Sequence, residues 1–313
     1  PTRRSSDLDP DHDRSVITLA GEPLAVQDLL AAVKTIKAAA DCGADAVKFQ
    51  KRDVDTLLSK EMREMPYVNE RSFGATYGEH RRNQELSIED YMKLKDYTES
   101  LGMVFFATPH DIASADALET IGVHAYKISS FDITNYPLLI HVAKKGKPIV
   151  LSTGMSTLEE MDRAIETILA LNDRLIVNHC TSIYPTPDEN LDLNMVSTLL
   201  KRYAPLPVGY SGHEPDILPT IVASGMGAHT VERHFTLDRT MRGSDHHMSI
   251  DPAMFKEMPY DVQRDFAPVT AVSVPSGMRT SRFFRLFARA PRMISSPLSG
   301  TRRTGGTAII RSC

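Results

Sequence analysis

The stretch Asp45-Ala46-Val47-Lys48-Phe49-Gln50 decides how this chain is read. It is short and mostly apolar, without clean alternation, and it closes on Lys48 and Gln50. Such a run suits a strand covered on both faces, as in a parallel sheet wrapped by helices. The same kind of run recurs outward from it, at Met103–Thr108, Pro148–Thr153 and Arg174–Cys180. Further strands are expected to begin near Val16, Ala125, Pro207 and His229. Amphipathic stretches fill the gaps. Leu29, Val33, Ile36 and Ala40 mark one helix face, Ser87 with Asp90 caps a second helix that Gly102 closes, and Leu158–Leu171 reads as another. Eight β-α repeats in about 220 residues predict an α/β fold, a (β/α)8 TIM barrel with atypical N- and C-terminal segments. A doubly wound open sheet is the rival architecture.

Strand starts are spaced 22–33 residues apart except once: Asp45 and Met103 are 58 apart. The second βα connection therefore carries an insertion of about 30 residues, with Tyr67, Phe73, Tyr77, His80, Arg81 and Arg82 in it. Long connections on that side of a barrel shape active sites.

Composition narrows the classes. With 42% apolar and 24% charged residues over 313 positions, the chain is neither disordered, collagenous nor coiled-coil. No apolar run approaches the roughly 20 residues needed to span a bilayer, so no membrane is expected. Pro1–Arg14 is polar and charged, so no signal peptide is expected, and three cysteines without a C-x-x-C pair suit a reducing cytoplasm. Net charge is −4, but the segment from Arg264 to Cys313 holds nine arginines and one acid, leaving −12 on the rest. That tail lacks a recognition-helix pattern, so no nucleic acid is expected as a partner. The expected organisation is an atypical tail over 1–15, a barrel over 16–258, and a basic, poorly folded segment over 259–313.

Barrel enzymes draw their chemistry from the C-terminal ends of several strands. Here those ends carry Lys48, Gln50, Thr108, Lys127, Ser130, Ser152, Ser182, Ser211 and Glu232. Two ammonium groups and a set of hydroxyls donate without negative charge, which suits a phosphate and a carboxylate bound together. Ser152-Thr153-Gly154, ahead of a helix, is expected to add backbone N–H donors. Taken singly, each lysine reads as a snorkelling side chain and each serine as a satisfied polar group. Their recurrence at successive strand ends carries the reading. His213 and His234 follow neighbouring strands about 4.8 Å apart, so both imidazoles can reach one divalent ion with open positions. Two buried, hydrogen-bonded histidines are the blander alternative. His179 is a weaker third ligand. Asp245 is expected on a loop, facing a substrate hydroxyl or metal-bound water.

Several ordered stretches resemble one known family. They are Gly43–Gln50, Thr76–Arg81, Tyr126–Ser130, Ser152–Ser156, Cys180–Pro185, Gly209–His213, Val231–Leu237 and Gly243–His246, spanning about residues 43–255. The family is the sialic acid synthases, N-acetylneuraminate synthases and their bacterial relatives. The resemblance implies condensation of phosphoenolpyruvate with an N-acetylated amino sugar, N-acetylmannosamine or its 6-phosphate. The product is a nine-carbon sialic-acid-type 2-keto sugar acid, with phosphate released. It also implies a divalent metal, Mn2+ first and Mg2+ or Co2+ as alternatives, held by His213 and His234. By motif, Lys48 resembles the partner of the phosphoenolpyruvate carboxylate, and Thr108, Lys127, Ser130, Ser152, Ser182 and Ser211 its phosphate donors. Gln50, Tyr184 and Asp245 resemble sugar contacts. Asp132 stands where the family carries an acid, and Glu232 lies beside the metal. Glu232, Asp245 and Asp132 are thus the expected catalytic acids. A legionaminic, pseudaminic or spore-coat sugar acid synthase fits the same motifs.

Two departures stand out. The family's first strand ends on a Glu, whereas this chain reads Val16-Ile17-Thr18-Leu19-Ala20-Gly21-Glu22-Pro23 and displaces the acid to Glu22. A barrel that binds ligands but turns over poorly is the corresponding alternative. The sequence after Met258 does not resemble the small antifreeze-like domain many members carry, although a homodimer remains the oligomer that the resemblance implies.

Overall fold

The computed structural model describes residues 15–19, 29–70 and 72–258. The expectations for the two tails, and for the displaced Glu22, lie outside the described residues. Eight parallel strands occur in chain order: β1 Ser15–Leu19, β2 Ala46–Lys51, β3 Val104–Pro109, β4 Tyr126–Ile128, β5 Ile149–Ser152, β6 Leu175–Cys180, β7 Val208–Gly212 and β8 Val231–Phe235. Each pairs with the next, and β8 returns to β1 with Thr18 opposite His234. The helices are α1 Leu29–Asp41, α2 Val54–Leu57, α3 Lys60–Glu64, α4 Tyr77–Arg82, α5 Ile88–Ser100, α6 Ile112–Ile121, α7 Tyr136–Lys144, α8 Leu158–Leu169, α9 Asn194–Arg202, α10 Leu218–Gly225 and α11 Pro252–Glu257. This is a parallel α/β fold of TIM-barrel-like form. The strand order shows no reversal, which a doubly wound sheet requires.

Local chemistry explains the helix ends. Ser87 caps α5 by accepting from the Asp90 N–H, and Gly102 follows in the left-handed region at φ 80°. Thr157 and Glu160 form a capping box at α8, whose Met161, Ala164, Ile165 and Ile168 turn one buried face to the sheet.

The strands sort their residues by period two. Outward residues such as Val47, Phe105, Leu151 and Val177 join the helices in the main core. Ala46, Val104, Phe106, Ala125, Val150 and Ile176 form a separate buried cluster on the other face. Moving along that same face, the residues change from apolar to polar: Ala46 to Lys48, Phe106 to Thr108, Ala125 to Lys127, Val150 to Ser152. The apolar cluster thus plugs the ring, and the polar layer sits directly above it.

The long β2–β3 connection folds as α2, α3 and α4 before α5 begins, with Pro66 and Thr76 bridged antiparallel. Tyr67 and Phe73 pack on the His80 ring at centroid distances of 4.6 and 5.7 Å. His80 Nδ1 accepts the Phe73 N–H at 3.1 Å. Arg242, from the loop after β8, lies 5.1 Å from the Phe73 ring and donates to the Ser72 carbonyl. The two segments are thereby joined at the cavity rim.

Burial, with help from the cations of Arg81, Arg52 and Arg242, pushes the His80 imidazole down to about 4. A histidine depressed in the folded state supports it fully above the unfolded value near 6.5 and loses that support as pH falls toward the folded value. Lowering pH from 7 to 5 is therefore expected to speed amide exchange over residues 72–84, after correction for intrinsic rates. His80→Gln, which has no titrating ring, removes that pH dependence.

Candidate active site

A cavity of about 480 Å³ opens above the polar layer, within the usual range for small-molecule sites of roughly 300–1,000 Å³. Every site residue expected from sequence except Asp132 and the weaker candidate His179 lines it. Its floor holds a buried charge triad. Glu232 stands between Lys127, whose Nζ is 2.8 Å from Oε2, and Lys48, whose Nζ is 3.5 Å from Oε1. Lys48 Nζ also donates to Thr108 Oγ1 at 3.3 Å. Burial pulls the Lys48 ammonium down to about 8, with Glu232 opposing and Lys127 adding to the fall. The triad carries one net positive charge in a water-poor cup, so it attracts an anion.

Hydroxyls from successive strand ends surround it. Ser152 Oγ is buried without a hydrogen-bond partner, a donor held for something else. Ser130 Oγ accepts the Gly154 N–H at 2.9 Å, and its hydroxyl is also hydrogen-bonded to the Cys180 thiol. The backbone donors expected at Ser152-Thr153-Gly154 are not presented to the cavity. Thr153 N–H donates to the Asn178 carbonyl at 3.1 Å and Gly154 N–H to Ser130. The β5–β6 pairing and the Ser130 hydroxyl consume them. Gly154 has a different role: a Cβ there would collide with Ser182 Oγ and stand 2.8 Å from Ser130 Oγ. Gly154→Ala is expected to push both hydroxyls aside and raise the KM for an anionic substrate by about 10²-fold, a cost usual for ångström misplacement. Initial-rate kinetics check it, with circular dichroism to show that the fold survives.

His213 and His234 face each other with ring centroids 5.3 Å apart. His213 Nδ1 lies 2.8 Å from the Thr181 carbonyl, which can only accept, so Nδ1 carries a proton. Although burial opposes it, Cys180, this carbonyl and Glu232 hold the ring's pKa above its ordinary value. His234 Nδ1 is buried without a hydrogen-bond partner, 3.7 Å from Asp245 Oδ2. Burial, opposed by Asp245, holds the His234 ring well below its ordinary pKa and therefore neutral. Tyr184 covers His213 at 4.0 Å between centroids. Two facing imidazoles with a carboxylate alongside fit a divalent cation with open positions. Among the described residues no group of three or more His, Cys, Asp or Glu is placed to hold a metal ion, so the fit rests on the two imidazoles. His179, expected as a weaker ligand, instead donates from Nε2 to the Leu191 carbonyl at 2.9 Å.

Asp132 is displaced from its expected place. It is buried behind His110, which lines the cavity and faces Asp132 Oδ2 with Nδ1 at 3.2 Å. Ser129 and Asn135 also donate to it, at 2.9 and 3.3 Å. A short 3-10 turn after β4 carries the carboxylate sideways rather than inward. His110, Arg52 and Cys180 line the cavity without having been assigned a role there, and Arg81 brings the expected insertion to it. The signal for His110 was its place two residues beyond Thr108, on the same strand face.

The fold and cavity together define a class: a TIM-barrel-like α/β protein with an anion-binding cup and a two-imidazole centre at its strand ends. The chain belongs to the NeuB family, the sialic acid synthases, whose profile matches residues 35–268. It is 38% identical over 231 residues to human N-acetylneuraminate-9-phosphate synthase, covering 74% of this chain and 64% of that protein. It is 41% identical over 237 residues to N,N'-diacetyllegionaminic acid synthase of Legionella pneumophila, covering 74% and 66% respectively. Among solved structures it is similar to N-acetylneuraminic acid synthetase of Leptospira borgpetersenii in complex with citrate. The TM-score is 0.69 at 30% identity, over 80% of this chain and 82% of that one. The chain spans under two thirds of the length of the human relative. No described helix is long and apolar enough to cross a membrane.

Proposed function

We propose that this chain, a full (β/α)8 barrel, condenses phosphoenolpyruvate with an N-acetylated amino sugar, N-acetylmannosamine or its 6-phosphate. The product is a sialic-acid-type 2-keto sugar acid, formed in the cytoplasm by a homodimer. The observation that carries this reading is the buried Lys48–Glu232–Lys127 triad beneath an unpartnered Ser152 hydroxyl.

In this reading Lys48 neutralises the carboxylate of phosphoenolpyruvate. Lys127 holds its phosphate with Thr108, Ser130, Ser152, Ser182 and Ser211. Gln50, Tyr184 and Asp245 orient the sugar. His213 and His234 hold a divalent cation, Mn2+ before Mg2+ or Co2+. When bound, that cation supplies a Lewis acid for the sugar's aldehyde oxygen. C3 of the enol attacks the aldehyde carbon, whose oxygen takes a proton from solvent to become a hydroxyl, leaving a cation at C2 that takes up water. His110, steadied by Asp132, receives the water's proton at Nε2, and the tetrahedral intermediate expels phosphate as C2 becomes a ketone. Glu232 balances the two ammonium groups until the substrate anion arrives. Holding both substrates in line is the main entropic service of the cup.

The test supplies phosphoenolpyruvate, Mn2+ and N-acetylmannosamine or its 6-phosphate, and follows phosphate and 2-keto acid. Silence with every N-acetylated hexose and hexose phosphate sinks the reading. A panel of legionaminic, pseudaminic and spore-coat precursors separates the related synthases, the finer question left by the relatives' names. Calorimetry that detects phosphoenolpyruvate binding without turnover selects the catalytically impaired barrel.

A further inference from the structure

Arg233 and Glu214 are 2% and 0% exposed, yet neither lines the cavity. Their chain neighbours do. His213 precedes Glu214, while Glu232 and His234 flank Arg233 on β8. Strand alternation turns those two inward and Arg233 outward.

The outward side is tightly tied. Arg233 Nη1 lies 3.0 Å from Glu214 Oε1 as an ion pair and donates to Thr220 Oγ1 at 2.7 Å and to the Asp216 carbonyl at 2.8 Å. Its Nη2 donates to the Glu214 carbonyl. The Glu214 carboxylate accepts from Tyr210 Oη in β7 at 2.9 Å and from Thr220 Oγ1 in α10 at 3.2 Å. It is folded back under the β7 turn, where a Cβ on Gly212 would lie 2.5 Å from Oε2. One carboxylate and one guanidinium thus clamp the end of β7, the start of α10 and β8.

We propose that the Glu214–Arg233 pair is a positioning device that sets His213 and His234 at the separation where two imidazoles share one cation. This rests on the metal reading above. Stability alone does not account for the pair, because a buried ion pair adds little over well-packed apolar residues. What it adds is direction: the hydrogen bonds to three segments leave no freedom to slide, and a metal site tolerates only about 0.5 Å of error.

The test titrates the full-length protein with Mn2+ alone, followed by electron paramagnetic resonance. Glu214→Gln and the milder Thr220→Val are expected to weaken Mn2+ binding by about 10- to 100-fold, as loss of a metal ligand's supporting contacts does. Ile168→Ala, in α8, destabilises the shell and is expected to leave Mn2+ affinity unchanged. Imidazole ¹⁵N spectra of the metal-free protein supply a second readout. The single Nδ1-protonated form of His213 in the parent is expected to give way to mixed forms in both clamp variants. Mn2+ affinity within about twofold of the parent in folded Thr220→Val and Glu214→Gln overturns the proposal, as does an equal loss in Ile168→Ala. If Glu214→Gln does not fold, Thr220→Val decides. A parent that binds no Mn2+ removes the metal reading instead. The imidazole spectra then decide the clamp, and spectra unchanged by the variants refute it.

Discussion

Lys127→Met is expected to lower kcat/KM for phosphoenolpyruvate by about 10³-fold, the scale on which preorganised charge at a reacting oxyanion is lost. The reason lies in the triad. With Lys127 gone, Glu232 keeps only Lys48, 3.5 Å away, and the net charge of the cup falls from positive to zero. A doubly anionic substrate then meets no net attraction. Stability falls too, because removing one partner of a buried ionic group leaves charge uncompensated. The double variant Lys127→Met/Glu232→Gln separates the two effects. It removes both partners of the 2.8 Å pair and returns the cup to one net positive charge, so stability and part of the attraction for the anion recover, while the contact that Lys127 itself makes does not. Activity that returns fully to the parent's level would show that Lys127 is a structural residue only.

His234→Ala is expected to abolish Mn2+-dependent turnover, by about 10³-fold or more, while phosphoenolpyruvate affinity stays within a fewfold of the parent. The imidazole is neutral, buried, and has no hydrogen-bond partner at Nδ1, so little of the fold depends on it. The lysines and hydroxyls proposed to meet phosphoenolpyruvate are left in place. Calorimetry with Mn2+ and with phosphoenolpyruvate, run separately, measures both halves. If Mn2+ binding survives in His234→Ala, the two-imidazole centre is not the metal site.

Much of the architecture was legible because parallel strands repeat. The recurrence of donors at successive strand ends grouped Lys48, Thr108, Lys127 and Ser152, and the structure places them on one strand face above an apolar layer. The second βα connection announced its insertion by spacing, although its aromatic packing around His80 did not follow from spacing. The errors share one cause. Asp132, His179 and the backbone N–H groups at residues 153 and 154 were assigned by type and position, but each had already found a partner across space. Asp132 meets His110, 22 residues away, and His179 meets Leu191. Hydrogen-bond partners of this kind depend on register and on turns between strands, which composition and periodicity do not encode.

The amino-acid order by itself determined that strands would alternate with helices, which strand faces would be polar at their C-terminal ends, and that cations, hydroxyls and imidazoles would gather there. These follow from local periodicity and from the geometry every parallel sheet shares. Only the tertiary structure decided that Glu232 balances Lys127 across 105 residues, that His110 rather than Asp132 meets the cavity, and that Glu214 pairs with Arg233 behind it. Each of those outcomes sets the desolvation of a charge against the partners that packing brings to it, and that balance exists only once the chain has closed around them.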